Sequence, residues 1–238
     1  MINKIITWNI RHGGGSRVLD IINTLSKHAD ATTIVLTEFR NNDNAVLIRK
    51  ALVDFGFINQ FTTNAPFNKN SILIVSKENL QSKTFPELNN HSERVIKVYN
   101  NNFSIYGCYF PQAEEKKYVF EFLLNEIRNN PDENIIITGD INTGKHYIDE
   151  IGSTFFHSEY IQKIEEMGLF DAWRYIHKDK TEYSWYSSYG NGFRLDHFFL
   201  KNNLKDNVLN CEYIHKYREQ KITDHSMMIL ELNDFIHS

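Results

Sequence analysis

Hydrophobic positions along the chain follow two periods. Short runs rich in β-branched and aromatic residues predict about eight strands, among them "KIITWNI", "TTIVLTEF", "NSILIVSK", "ERVIKVY", "FSIYGCYF", "NIIITGDI", "FRLDHFFL" and "SMMILEL". Other stretches carry a helical stripe. "SRVLDIINTLSKH" places Val18, Leu19, Ile21, Ile22 and Leu25 on one face. "NAVLIRKALVDFGF" predicts a helix capped by Asn44 and stopped at Gly56. "EEKKYVFEFLLNEIRNN" is amphipathic and closed by Pro131, and "SEYIQKIEEMG" is a short helix with Ser158 at its N-cap and Gly168 at its end. Runs of strands broken by helices predict an α/β sandwich of two sheets flanked by helices. With no linker or low-complexity segment, residues 1–238 read as a single domain.

Composition adds little and excludes some classes. The residues AVILMFWYC make up 41%, enough for a sizeable core, and the net charge is −4 from 26 basic and 30 acidic side chains. That is no global basic coat, although a local basic cleft on an acidic body remains compatible with nucleic acid. Cys108 and Cys211 form no CxxC pair, which argues against a zinc or redox motif. The N-terminal apolar run is too short for a signal peptide, and no stretch approaches a membrane span. A cytoplasmic protein without a membrane role is expected.

The strand ends carry the chemistry. In "GDIN", Asp140 and Asn142 alternate about Ile141 and share one side of the strand. "TWNIR" delivers Asn9 opposite Trp8 and Ile10, followed by Arg11, His12 and three glycines. "IVLTEFR" ends an apolar strand on Glu38, which is costly unless the carboxylate is paired or binds a metal. "RLDHFF" sets Asp196 in an apolar strand, and "TDHSMM" sets Asp224-His225 ahead of another. Each alone reads as a turn, a surface ion pair or a structural pair; five strand ends with such residues do not read as turns. "IITWNIR" and "IITGDIN" also echo each other, hinting at two similar halves whose strand ends converge.

In this order, "TWNIR", "LTEF", "GDIN", "RLDHFF" and "TDHSMM" resemble the motifs of the endonuclease/exonuclease/phosphatase superfamily, from residue 5 to residue 232. "YGCYFPQ", with Tyr109, leans toward its exonuclease III and abasic-site endonuclease branch. The resemblance implies a four-layered αββα, DNase I-like sandwich of two mainly antiparallel sheets. It implies Mg²⁺ (or Mn²⁺) held by Glu38, with Asn9 and Asp224 completing or flanking the site. It implies that Asp140 positions or deprotonates the attacking water, that Asn142 holds phosphate or water, and that Tyr109 bonds the phosphate or assists the leaving oxygen. Asp196 would orient His225, which would neutralise a phosphate oxygen.

Arg11, Arg174 and Arg194 are candidate phosphate contacts, with Lys145 beside them, and Trp185 is a candidate base-stacking or sugar-pocket residue. The expected function is a monomeric DNA nuclease of exonuclease III or abasic-site endonuclease type, with DNA repair as its setting. The alternatives are a phosphatase or phosphodiesterase on RNA, nucleotides, inositol phosphates or lipid headgroups, and a catalytically dead binding protein. "LTEFR" and the short loop after "GDINTG" depart from the usual abasic-site enzyme pattern.

Overall fold

The computed structural model describes residues 2–151 and 155–233. The first half of the chain builds β1 (Ile2–Asn9), α1 (Val18–Ser26), β2 (Thr33–Arg40), α2 (Asp43–Asp54), β3 (Asn59–Thr62), β4 (Asn70–Ser76), β5 (Gln81–Thr84), β6 (Val95–Tyr99), β7 (Ser104–Tyr109) and α3 (Lys116–Asn129). The second half adds β8 (Ile135–Asp140), α4 (Glu159–Glu166), β9 (Leu169–Asp171), α5 (Ala172–His177), β10 (Trp185–Tyr186), β11 (Gly192–Phe193), β12 (Asp196–Lys201), β13 (Val208–Ile214), α6 (Lys216–Glu219) and β14 (Met227–Asn233).

Two six-stranded sheets run in the orders β13-β14-β1-β2-β4-β3 and β5-β6-β7-β8-β12-β9, and β10-β11 forms a small hairpin. Pairing is antiparallel except for β1–β2 and β7–β8. Alternation along each strand serves two cores at once. In β2, Val35 faces the space between the sheets, where Ile74 and Leu230 of its own sheet meet Ile105, Ile136 and Phe198 of the other. Its neighbours Ile34 and Leu36 face outward onto α1 and α2, through Ile21, Leu25, Ile48 and Leu52. On the other side α3 and α4 cover the second sheet with Val119, Phe120, Leu123, Ile161 and Ile164. The layers are therefore helix, sheet, sheet, helix, as the motif order implied.

Strand count exceeds the expectation. The edge strands β3 and β5, "NQFT" and "QSKT", lack apolar periodicity, and β9 is only three residues long. Backbone pairing to a neighbour makes them strands, not their side chains. One expected cap is corrected and another lacks its bond. Asn42, not Asn44, caps α2, its side chain accepting from the Ala45 N–H. Asn44 instead donates to the carbonyls of Gly13 and Gly15 and pins the glycine loop. Ser158 stands at the N-cap position of α4 as expected but makes no side-chain cap bond; its hydroxyl donates to the Gly144 carbonyl and accepts from the His146 N–H.

Candidate active site

The site lies where the central strands of both sheets end. In the second sheet the register sets Tyr109 of β7 beside Asp140 of β8, and Asp140 directly opposite Asp196 of β12. Three reactive side chains thus form a row across three strands. The approach of β7 to β8 requires glycine at 139: a Cβ there would stand 1.9 Å from the Cys108 carbonyl oxygen, and φ is +132°. After Asp140 the chain turns through Asn142 at φ 54°. Its N–H donates to Asp140 Oδ1 at 3.0 Å and its side-chain amide donates to the Phe110 carbonyl at 2.8 Å.

The first sheet brings the opposing groups. The β2–β4 register shifts between Thr37 and Phe39, and the extra residue is Glu38 at φ 53°. This bulge turns the Glu38 carboxylate out of the ladder and into the cavity. Glu38 Oε1 accepts from the Asn9 amide at 3.2 Å, and Oε2 accepts from the His12 N–H at 2.9 Å. The His12 ring stands beside this carboxylate, Nδ1 at 2.8 Å from Oε2, while the nearby Arg40 and Arg49 turn their Nε groups to Asn70 and Gln60. Asn9 also donates to Asp140 Oδ2 at 2.9 Å. One amide therefore joins the ends of β1 and β8, the two strands whose sequences echo each other.

His225 completes the array. Its Nδ1 lies 2.8 Å from Asp196 Oδ2, and its Nε2 lies 4.0 Å from Asp140 Oδ2. Carboxylates directly opposite on neighbouring strands repel, so a cation between them is favoured. Burial would lower the imidazole's pKa, but Asp196 and Asp140 override it and push it up to about 10. Burial also pushes the Asp140 carboxyl up to about 7; Asp196 and Glu38 add to the rise, and His225 opposes it. Tyr109 is raised to about 12, first by burial and then by the Glu38 charge, so its hydroxyl stays protonated. That hydroxyl accepts from Asn70 at 3.1 Å, which leaves its own proton free for the cavity.

These groups surround a cavity of about 480 Å³ lined by Glu38, Tyr109, Asp140, Asn142, Asp224 and His225. Trp185, Phe193, Phe155 and Phe156 line it as well, together with Lys116 and Gln112. The Trp185 ring lies 5.6 Å from Phe193 and 6.4 Å from His225, so it is a wall of the site and not a core residue. Tyr183 is core and Tyr189 is exposed. Arg11 pairs at 3.7 Å with Asp224, a cavity-lining residue.

The donors suit a hard divalent cation. Asp140, Asp196 and His225 place ligand atoms within 4.8 Å of one another, and Asp196 Oδ1 is buried with no hydrogen-bond partner among the described residues. Glu38 and Asp224 offer further carboxylates on the same cavity. The Asp196–His225 contact is short enough to be held by a proton, which favours Glu38 and Asp224 as the oxygen-rich side for an ion that retains water. Asn9 is less apt as a ligand than expected. Its Oδ1 accepts from the Arg11 N–H at 2.9 Å, so it turns donors, not an oxygen, toward the carboxylates.

Three expected phosphate contacts lie elsewhere. Arg194 has no exposed surface and is committed to Asp149 and Asp171. Arg174 also pairs with Asp149 and donates to the Lys178 and Lys180 carbonyls. Lys145 pairs with Glu165. One cavity group and one support behind it escaped the sequence reading: Lys116, hidden in a run of helix charges, and Asn70, an ordinary strand-start residue whose contact with Tyr109 only the fold creates.

No curated protein is significantly similar to this chain in sequence. Among solved structures, the 3′ phosphatase NExo from Neisseria, bound to product DNA hairpin, superposes with a TM-score of 0.83 at 19% identity, covering 98% of this chain and 100% of that one. An AP endonuclease from Archaeoglobus fulgidus gives 0.80 at 20% identity, covering 98% and 100%. The 3′-5′ exonuclease NExo from Neisseria meningitidis gives 0.81 at 19%, covering 97% and 100%. At these identities the likeness establishes the DNase I-like fold. The model of the Endonuclease/Exonuclease/phosphatase family matches residues 6–225, and the chain belongs to that family.

Proposed function

We propose that this protein is a Mg²⁺-dependent phosphodiester hydrolase acting on DNA, of the exonuclease III or abasic-site endonuclease kind. The observation that carries this reading is the Asp140–Asp196 pair bridged by His225, facing Tyr109 and Glu38 across one cavity. The similar structures are a DNA 3′ phosphatase, an AP endonuclease and an exonuclease, which supports the same substrate class.

The residues divide the work. A bound Mg²⁺, held by Glu38 with Asp224, would neutralise charge on the phosphate. Asp140 orients the attacking water and takes its proton as the new P–O bond forms. Its raised pKa suits a group that must accept a proton near neutral pH. Asn142 fixes the Asp140 carboxylate through its N–H. His225, charged and oriented by Asp196, donates from Nε2 to a phosphate oxygen. Tyr109 donates its hydroxyl proton toward the phosphate or the departing oxygen. Trp185 and Phe193 form an apolar wall for a base or sugar.

A second reading, a phosphatase or phosphodiesterase on smaller esters, draws on one observation: Arg174 and Arg194 are withdrawn from the surface, which thins the cationic footprint. Cleavage of labelled duplex DNA, intact or with one abasic site, separates the two. Metal-dependent cutting abolished by chelator supports the nuclease. An inert, well-folded protein on DNA that still hydrolyses small phosphate esters supports the second reading. Glu38→Ala should raise the Mg²⁺ needed for half-maximal activity by roughly 10-fold or more; an unchanged requirement would place the ion elsewhere.

A further inference from the structure

We propose that Lys116 is a substrate-phosphate contact of this cavity and that it favours a terminal phosphomonoester over an internal diester. The proposal rests on the reading of the site as a phosphate-ester hydrolase.

Lys116 opens α3, and its residue is only 3% exposed while lining the cavity beside Asp140 and Asn142. Lys97 is similarly buried, at 5%, but the Glu133 carboxylate grips its ammonium at 2.7 and 2.8 Å. Lys116 has no carboxylate within ion-pair distance among the described residues. Its ammonium donates to one neutral acceptor, the Asn142 carbonyl. An ammonium has three N–H donors. A buried cation with one neutral partner is costly unless an anion completes its shell. The cavity is the place from which that anion can come. Burial lowers the Lys116 pKa to about 8, opposed by the Asp140 charge, so the side chain is still largely cationic at neutral pH.

The preference for a monoester follows from charge. Glu38, Asp140 and Asp224 all face the cavity, and Asp196 stands behind His225. A terminal phosphate carries a second negative charge that a diester lacks, and it brings that charge among these carboxylates. Lys116 comes from the α3 side and His225 from the chain just before β14, so two cations come from separate elements. The extra charge of the monoester makes the second cation matter more.

The test compares wild type, Lys116→Met and Lys116→Arg. Substrates are a duplex with a recessed 3′-phosphate, the same duplex with a 3′-hydroxyl, and the p-nitrophenyl ester of thymidine monophosphate. Lys116→Met should lower kcat/KM about 100-fold on the 3′-phosphate and about 10-fold or less on the two diesters. Lys116→Arg should recover most of the loss. Inorganic phosphate should raise the Tm of wild type and not of Lys116→Met. Equal losses on all substrates, or phosphate stabilisation that survives in the methionine variant, would make Lys116 a brace for the Asn142 turn and overturn the proposal. A wild type inert on every substrate would instead remove the hydrolase reading beneath it.

Discussion

Two buried acidic clusters sit about the ends of β8 and β12, and they behave in opposite ways. One is Asp140, Asp196 and His225. The other is Asp149 and Asp171 with Arg194, beside Arg174 and His197. In the second, Arg194 Nε and Nη2 bind Asp149 at 2.7 and 3.0 Å, and Nη2 also reaches Asp171 at 2.5 Å. The Lys145 and Arg174 N–H groups donate to the same two carboxylates. Burial would raise both acids, but the guanidinium overrides it and holds both below their ordinary value. Trp173 closes this cluster, with Arg174 and Arg194 at 4.8 and 5.1 Å from its ring. In the first cluster the one cation is an imidazole, Asp196 Oδ1 lacks a partner among the described residues, and Asp140 is raised. Burial is similar, and the second cluster also keeps unpartnered donors among the described residues, Arg194 Nη1 and Arg174 Nε; what differs is how completely the carboxylates are answered, by a guanidinium at 2.5–3.0 Å in one and by a single imidazole in the other. A sealed cluster fixes the loop and strands behind the site, and an unsatisfied one is left poised for a substrate.

The largest expected effect falls on the open cluster. Asp140→Asn keeps the shape and hydrogen-bonding size of the side chain but removes the carboxylate proposed to accept the water's proton. Turnover should fall by roughly 10³-fold or more, while circular dichroism stays native. Retained turnover would remove Asp140 from the mechanism and erase the distinction between the clusters.

The next effect falls on the sealed cluster. Arg194→Met leaves Asp149 and Asp171 buried without their main cation. Breaking a buried ion network by removing one partner costs about 3–5 kcal/mol. Chemical denaturation should show that loss, with activity declining because the 143–150 loop is no longer anchored. A variant as stable as wild type, but defective in substrate binding, would return Arg194 to the phosphate-binding role that its position in the sequence suggested.

The same contrast sets how stability varies with pH. The folded-state pKa of Asp140 is raised from 3.8 to about 7, so its contribution to stability is full below about pH 4 and is lost as pH rises through 7. His225 is raised from 6.5 to about 10, so its contribution persists below 6.5 and is lost as pH rises through 10. Asp171 is depressed, so its contribution is present above 3.8 and disappears only in acid. Asp140→Asn should therefore flatten the stability profile between about pH 4 and 7. It should leave the variant more stable than wild type near pH 8 by roughly 1–3 kcal/mol. A variant less stable than wild type at pH 8 would mean that the Asp140 charge is already well answered in the folded protein.

Sequence makes the open cluster more legible than the sealed one, for a physical reason. Asn9, Glu38, Asp140, Asp196 and His225 each sit at or beside the end of an apolar run, where a polar residue is conspicuous. The layering was legible too, since helices of period 3.6 and strands of period 2 alternate along the chain. Asp149 lies in an irregular loop with no pattern around it, and Arg194 looks like any arginine near a site until its partners are seen. The edge strands β3 and β5 escaped because pairing to the next strand makes them, while their own side chains carry no apolar alternation. The bulge at Glu38 escaped because a one-residue register shift leaves no trace in composition. Lys116 escaped because the first turn of an amphipathic helix normally carries solvated charge.

The smallest effect sharpens the comparison at its rim. Each cluster has a tryptophan: Trp173 is fully buried against two arginines, and Trp185 is a partly exposed wall between Phe193 and His225. The Trp185 backbone also bridges to His225, which ties the hairpin to the segment that carries the imidazole. If the ring stacks a base or sugar, Trp185→Ala should weaken binding to duplex DNA by about 10-fold, the value of one aromatic stack. Hydrolysis of a small phosphodiester, which has nothing to stack in that position, should change less than about 3-fold. The hairpin backbone remains, so the imidazole should keep its place. Measured side by side, binding and small-ester turnover separate a wall for substrate from a support for His225. Equal losses in both would mean that Trp185 acts through the imidazole, and that the open cluster needs its tryptophan for the same structural reason as the sealed one.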